Sequence, residues 1–95
     1  MEEISKSDII VSTAGRDQGK LFYVIGTEGV YVLIANGKDR KLEHPKRKKL
    51  KHVRLVTRTE SRVAEKIKSG GRVLNSELRR DLAAFRQTQG QNQGG

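Results

Sequence analysis

Residues 10–25 read IVSTAGRDQGKLFYVI, and this stretch gives the first indication of the fold. Two runs rich in β-branched and aromatic residues flank a polar segment, residues 15–19, that begins and ends with glycine. Such runs are typical of strands, and glycine accepts the positive φ angles that a tight reversal needs. The stretch therefore predicts two neighbouring strands, over 9–14 and 21–25, joined by a glycine-bearing loop.

Strand patterns continue downstream at short intervals. Residues 30–35 predict a third strand, which ends at the Asn-Gly pair of 36–37, a strong hairpin signal. A short fourth strand is predicted over 40–42 and a fifth over 51–57, with Pro45 interrupting the pairing between them. Five short strands in about fifty residues predict a small closed or half-closed barrel.

The apolar period then changes to that of helices. One helix is predicted over 60–69 and a second from about residue 75. The second helix places Leu78, Leu82 and Phe85 on one face, at i, i+4 and i+7. This apolar stripe would either cover one face of the sheet or dock a protein partner, and the sequence leaves both open.

The predicted organisation is therefore mainly β with a helical extension. The barrel covers residues 1–58, and two short helices cover residues 59–88. Residues 89–95 contain no apolar side chain and are predicted to form a disordered tail.

Charge is concentrated in one segment of the chain. The 95 residues carry 20 Lys and Arg against 11 Asp and Glu, a net charge of +9. Nine of these cations, but only two of the acids, fall within residues 38–54. Such a balance raises the local concentration of anions, so nucleic acid is the leading class of partner.

No catalytic, cofactor or metal set emerges from the sequence. The chain has no cysteine, which excludes thiolate chemistry. Segment 15–20 has one residue too few between its glycines for a nucleotide-phosphate loop, and Leu21 stands where that loop needs a hydroxyl. His44 and His52 lie in a cationic segment that would repel a divalent metal. We expect neither an enzyme nor a bound cofactor or metal.

The expected setting is the cytoplasm. The start of the chain is acidic and lacks the apolar run of an export signal, and no apolar stretch is long enough to span a membrane. A monomer is favoured.

Residues 10–25 also resemble the KOW motif, and Gly19 matches the hallmark glycine of that motif. A wider run from residue 11 to 53, including segments 31–37 and 40–46, is similar to the small bacterial KOW-domain RNA-binding proteins that are related to eukaryotic and archaeal large-subunit ribosomal proteins. The resemblance covers about half of the chain. It implies a five-stranded SH3-like barrel that binds RNA, with ribosomal RNA as the expected partner.

The resemblance implies that the loop between the first two strands contacts RNA. Arg16 and Lys20 match its basic positions, while Gly15 and Gly19 would let the backbone approach a phosphate. Asp17 is expected to brace the turn. The alternative is that both glycines serve only the turn geometry.

The basic segment supplies the remaining candidate contacts, which would track successive phosphates. These residues are Lys38, Arg40, Lys41, Lys46, Arg47, Lys48, Lys49 and Lys51. The alternative is a solvated loop that its charge keeps soluble. Tyr23 and Tyr31 could stack on bases, but packing in or beside the core is the favoured interpretation.

The sequence thus predicts a non-catalytic, ribosome-associated protein that binds structured RNA mainly through phosphate contacts. Two alternatives remain. One is a module that binds proteins of the translation or transcription machinery, and the other is a small DNA-binding barrel, because phosphate contacts alone do not distinguish the two polymers.

Overall fold

The computed structural model describes the backbone of residues 3–94 and the side chains of residues 3–87. It contains five strands, one 3₁₀ turn and two helices. In chain order these are β1 (Ile9–Ser12), β2 (Leu21–Glu28), β3 (Tyr31–Ala35), β4 (Lys46–Lys49), the 3₁₀ turn (Leu50–His52), β5 (Val53–Thr57), α1 (Arg62–Ser69) and α2 (Asn75–Gly94).

The strands form one antiparallel sheet in the order β4-β3-β2-β1-β5. Strands β1 to β4 follow one another across the sheet, and the 3₁₀ turn carries the chain from β4 to β5, which pairs with β1. The prediction of a mainly β unit with five strands is confirmed. Within residues 3–94, β4 and β5 are the two edges of this sheet.

One face of the sheet is covered by the helices. Side chains alternate between the two faces of a strand, which places Ile9, Tyr23 and Ala35 on the same side. These residues form a buried cluster, the helix-facing cluster, with apolar residues of α1 and α2. The helical members are Val63, Ala64, Ile67, Leu78 and Leu82, with Phe85 packed against them. The apolar stripe of α2 is therefore a lid on the sheet.

The opposite face buries a second cluster, the inner cluster, that contains no helical residue. Its members come from four strands: Ile10, Phe22, Val24, Val32, Ile34 and Val53. A flat sheet would leave this face open to water, so the burial requires the strands to curl around it. The register of β2 against β3 shifts between Val24 and Gly26, and such a bulge bends a strand.

The predicted fourth strand is wrong. Residues 40–42 form no strand, and β4 begins directly after Pro45. The reason is a competing contact, because Leu42 packs against the helix-facing cluster and its amide donates to Oδ1 of Asn75 at 2.8 Å. The backbone group that a strand would use for pairing is thus taken by the start of α2.

Both predicted helices are present with small changes in their ends. Ser61 caps α1 by accepting the Ala64 amide at 3.1 Å, so the helix begins at Arg62 rather than at the predicted residue 60. Gly70 ends α1 in the left-handed conformation, at φ 76°. Helix α2 extends to Gly94, into the segment predicted to be a disordered tail. Residue 95 lies outside the described residues.

Candidate nucleic-acid interface

The loop between β1 and β2 is a tight, hydrogen-bonded reversal. Gly15 and Gly19 adopt φ angles of 86° and 88°, which residues with a side chain rarely adopt. The amide of Gly19 donates to the carbonyl of Ser12 at 2.8 Å, and the amide of Gln18 donates to the carbonyl of Gly15 at 3.2 Å. Both glycines are therefore required by the turn, and their predicted closeness to a phosphate stays a prediction.

Asp17 braces this loop from beneath, as the sequence predicts. Its Oδ1 accepts hydrogen bonds from Oγ of Ser12 at 2.7 Å and from Nζ of Lys48 at 2.6 Å, and its Oδ2 accepts one from Nζ of Lys46 at 3.2 Å. Burial alone would raise the pKa of this carboxyl, but the bonds from Lys48, Ser12 and Lys46 together hold the pKa well below its usual range. Asp17 therefore remains ionised and ties β4 to the loop.

Lys48 is the candidate RNA contact that the structure places away from the surface. Its side chain is only 7% exposed, and its Nζ also donates to the carbonyl of Ala14 at 2.6 Å. The cause is the register of β4, which puts Lys48 opposite Val32 and so on the same face as the inner cluster. Lys48 is a structural residue that supports the loop.

The neighbours of Lys48 in β4 point the other way. Arg47 and Lys49 are exposed, and Arg47 is 60% exposed at its side chain. The guanidinium carbon of Arg47 lies 4.3 Å from the centre of the Tyr31 ring, and Lys49 pairs with Tyr31 across the strands. Arg47 also approaches Glu28 at 4.0 Å, a weak contact between two exposed groups. A cation thus sits against an aromatic face at the edge of the sheet.

An apolar depression of about 440 Å³ adjoins this pair. Val30 is 65% exposed and Leu50 lies at its rim, while Lys49 and Lys51 flank the depression on the chain that leaves β4. We call this surface the β4 patch. It consists of Val30, Tyr31, Arg47, Lys49, Leu50 and Lys51.

A second group of candidates gathers around the loop and the turn that follows β3. Nζ of Lys20 lies 3.0 Å from Oδ2 of Asp39, which joins the loop to the turn. Asn36 holds that turn, because its Oδ1 accepts the amides of Lys38 and Arg40, each at 3.0 Å. Other members of this group are Arg16 and Lys41, both exposed, and Lys46, which is half-buried against Asp17.

The candidates therefore form two sets within the described side chains. One set is the loop with the turn after β3, and the other is the β4 patch. No hydrogen bond or ion pair within residues 3–87 joins Arg47, Lys49 or Lys51 to the loop. The sequence order, in which the cations of residues 38–51 appear as one segment, hides this division.

Tyr23 packs in the core, which agrees with the favoured interpretation. It is fully buried, its hydroxyl donates to Asp81 of α2, and Ser61 lies 3.3 Å away. Burial, and then the hydrogen bond to Asp81, raise the pKa of Tyr23 above its ordinary value. Tyr31, by contrast, is partly exposed in the β4 patch.

Sequence reasoning missed two arginines of α2. Arg79 and Arg86 line a cleft beside the turn after β3, and Nη1 of Arg79 donates to the carbonyl of Gly37 at 2.7 Å. Their spacing of seven, with Leu82 between them, places them on one face of a helix and was a signal available in the sequence.

Within the side chains described, no group of three or more His, Asp or Glu residues is arranged to hold a metal ion. None of the helices in the described part of the chain has the length and apolar character needed to cross a membrane. No protein-family model matches the chain, and no curated protein matches it either.

Proposed function

We propose that this protein is a non-catalytic RNA-binding module that associates with structured RNA, ribosomal RNA above all, through phosphate contacts. The observation that carries the proposal is the β4 patch. Its three cations surround a partly exposed tyrosine and an apolar rim. Lysine and arginine neutralise phosphates, and an aromatic ring offers a surface on which an unpaired base stacks.

The loop between β1 and β2 supports the same proposal. Arg16 and Lys20 are exposed on a reversal whose shape is fixed by Asp17 and Lys48. A loop fixed before binding loses little conformational freedom when a ligand arrives, which favours affinity.

We further propose that the sheet is a KOW-type, SH3-like barrel. Three features support it: the glycine-bearing loop between β1 and β2, the return of β5 beside β1 after a single 3₁₀ turn, and the inner cluster, which a curled sheet would bury.

The protein-interaction alternative relied partly on the apolar stripe of α2. Leu78 and Leu82 of that stripe are buried against the sheet, so the stripe offers no docking surface in this structure. Four large apolar side chains are exposed among the described residues. Val30 and Leu50 lie beside lysines in the β4 patch, and Val56 and Leu74 lie outside it.

Charge reversal in the β4 patch tests the proposal. The variant Arg47→Glu, Lys49→Glu, Lys51→Glu should lose most of its affinity for a folded RNA hairpin, measured by fluorescence anisotropy, and the loss should be similar for hairpins of different sequence because phosphates carry no sequence information. A matched control reverses three exposed arginines outside both candidate sets, Arg54, Arg72 and Arg80.

Equal losses in the two triple variants would show that only net charge matters and would reject the β4 patch as the site. Competition between duplex DNA and folded RNA of equal length separates the two polymers. Sedimentation of tagged protein in cell extract, with and without the magnesium that holds ribosomal subunits together, tests the ribosomal assignment, which comigration with one subunit would support.

A further inference from the structure

Helix α2 faces the turn after β3 across a cleft of about 420 Å³. This volume lies at the small end of the roughly 300–1,000 Å³ that is typical of ligand sites. Leu21, Leu82 and Ala83 give the cleft apolar walls. Its charged lining consists of four cations and one carboxylate: Lys20, Lys38, Arg79, Arg86 and Asp39. We call it the α2 cleft.

The helix holds its two arginines on the side of the cleft. Arg79, Ala83 and Arg86 lie at i, i+4 and i+7, which is one face of a helix. Leu82 on the same stretch is buried in the helix-facing cluster and fixes how the helix is rotated. The small side chain of Ala83 leaves open the space between the two guanidinium groups.

Arg79 is oriented before any ligand binds. Its Nη1 donates to the carbonyl of Gly37 at 2.7 Å. A guanidinium has five N–H donors in a rigid plane, so this bond restrains the position of the group and uses only one of them. Gly37 itself is buried against the main chain of Asn75, which keeps the turn and the helix at a fixed separation.

Most of the positive charge in the α2 cleft is not neutralised. Asp39 accepts hydrogen bonds from Lys20 at 3.0 Å and from Nδ2 of Asn36 at 3.2 Å, so this carboxylate compensates Lys20. The side chains of Lys38 and Arg86 form neither an ion pair nor a hydrogen bond with any side chain of residues 3–87. Together with Arg79, they leave a surplus of three cations around one opening.

We propose that the α2 cleft seats a backbone phosphate of the same RNA that the β4 patch binds. The inference rests on the proposed RNA-binding function and extends the binding surface to a helix outside the KOW-like segment. Lys20 belongs both to the cleft and to the loop between β1 and β2, so the cleft is contiguous with that loop. Arginine matches the geometry of phosphate oxygens with paired N–H donors, which favours a phosphate as the bound group.

The test uses the two cations that make no structural contact. In the variant Lys38→Gln, Arg86→Gln, the slope of log affinity against log salt for a folded RNA hairpin should become shallower by about 0.7 to 0.9, because that is the contribution of the one phosphate contact that is lost. Affinity at low salt should fall accordingly. The matched control, Arg72→Gln, Arg80→Gln, removes the same charge at exposed positions outside the cleft and should keep the wild-type slope.

A titration of the wild-type protein with inorganic phosphate provides an independent measurement. Amide signals of residues 36–39 and 79–86 should shift, while those of α1 should not. If the wild-type protein binds RNA but the cleft variant behaves like its control, the cleft inference fails and the proposed function stands. If the wild-type protein binds no RNA, both fail together.

Discussion

Neighbouring lysines of β4 have opposite surroundings. Lys48 is buried and bonded to Asp17, while Lys49 is exposed beside Tyr31. The sequence shows only a run of four cations, KRKK, with no apolar residue to mark the face that points inward. The identity of the buried lysine follows from the register against β3, which a single sequence does not reveal.

Removing the two lysines should therefore have different effects. Lys48→Met removes one of the partners of the buried Asp17 carboxylate and should lower the free energy of unfolding by roughly 3 kcal/mol. This value is at the low end for breaking a buried ion pair, because Lys46 remains bonded to Asp17. Lys49→Met should change stability by less than about 0.5 kcal/mol and weaken RNA binding instead. Urea unfolding and RNA anisotropy measure the two effects. Equal stability of the two variants would contradict the structural role of Lys48.

Asp17 also predicts how stability depends on acid. The pKa of Asp17 is lower in the folded protein than in the unfolded chain, where it is near 4. The contribution of Asp17 to the free energy of unfolding is therefore fully present above the unfolded pKa and is lost as pH falls toward the folded pKa. The free energy of unfolding should decrease between about pH 5 and pH 2, and Asp17→Asn should decrease less steeply over this range.

Urea unfolding across this pH series provides the measurement, and the exposed Glu60→Gln serves as the control that should keep the wild-type profile. Parallel curves for the wild-type protein and Asp17→Asn would show that this carboxyl does not govern the acid response.

At the scale of elements, the first three strands are predicted closely and the fourth is not. Strands β1 and β3 are apolar runs, or runs that alternate apolar and polar residues, next to glycine turns. These signals lie within a few residues of each strand and can therefore be read from the sequence. Strand β2 continues beyond its predicted end to Glu28, because the bulge beside Gly26 lets pairing with β3 continue where the sequence predicts a reversal. The displacement of the fourth strand depends on Leu42 contacting α2, a contact between residues distant in sequence.

The packing of α2 on the turn after β3 predicts unequal effects of two similar substitutions. Gly29 and Gly37 both have left-handed φ angles, 60° and 78°, so an alanine at either position costs about 1–2 kcal/mol. At Gly29 the new methyl group meets open space, whereas at Gly37 it would overlap the main-chain carbonyl of Asn75. Gly37→Ala should therefore be the more destabilising change and should also loosen the start of α2.

Urea unfolding compares the two alanine variants, and hydrogen exchange at the first turn of α2 reports the loosening. If the two alanine variants have equal free energies of unfolding, and if Gly37→Ala leaves hydrogen exchange at residues 75–79 as in the wild-type protein, the close packing of Gly37 on α2 is contradicted.

At the scale of the whole molecule, the helices share a core with the sheet. Tyr23 of β2 bonds to Asp81 of α2, and Lys66 of α1 bonds to Glu77 of α2 at 2.8 Å. The sequence predicts the α2 stripe but leaves its partner open, because an apolar face does not specify what covers it. The sequence likewise predicts the positive charge of the candidate site and its loop. The division of the candidate residues into two sets depends on the fold and is not visible in the sequence.

The distribution of charge over the molecule predicts a marked salt dependence. If about five cations contact phosphates, log affinity for a folded RNA should fall against log salt with a slope of roughly −3 to −4. Anisotropy titrations over a series of salt concentrations measure this slope. A slope near zero would exclude phosphate neutralisation as the source of affinity.

The clasp of Lys48 on Asp17 and Ala14 has a kinetic consequence. Since these bonds hold the loop in the folded protein, binding of the proposed RNA partner should need little rearrangement of that segment and should approach rigid-body docking. The association rate of the proposed complex should then depend on diffusion and on long-range attraction between the cationic surface and the polyanion. Differences in affinity among variants that keep the clasp should appear mainly in the dissociation rate.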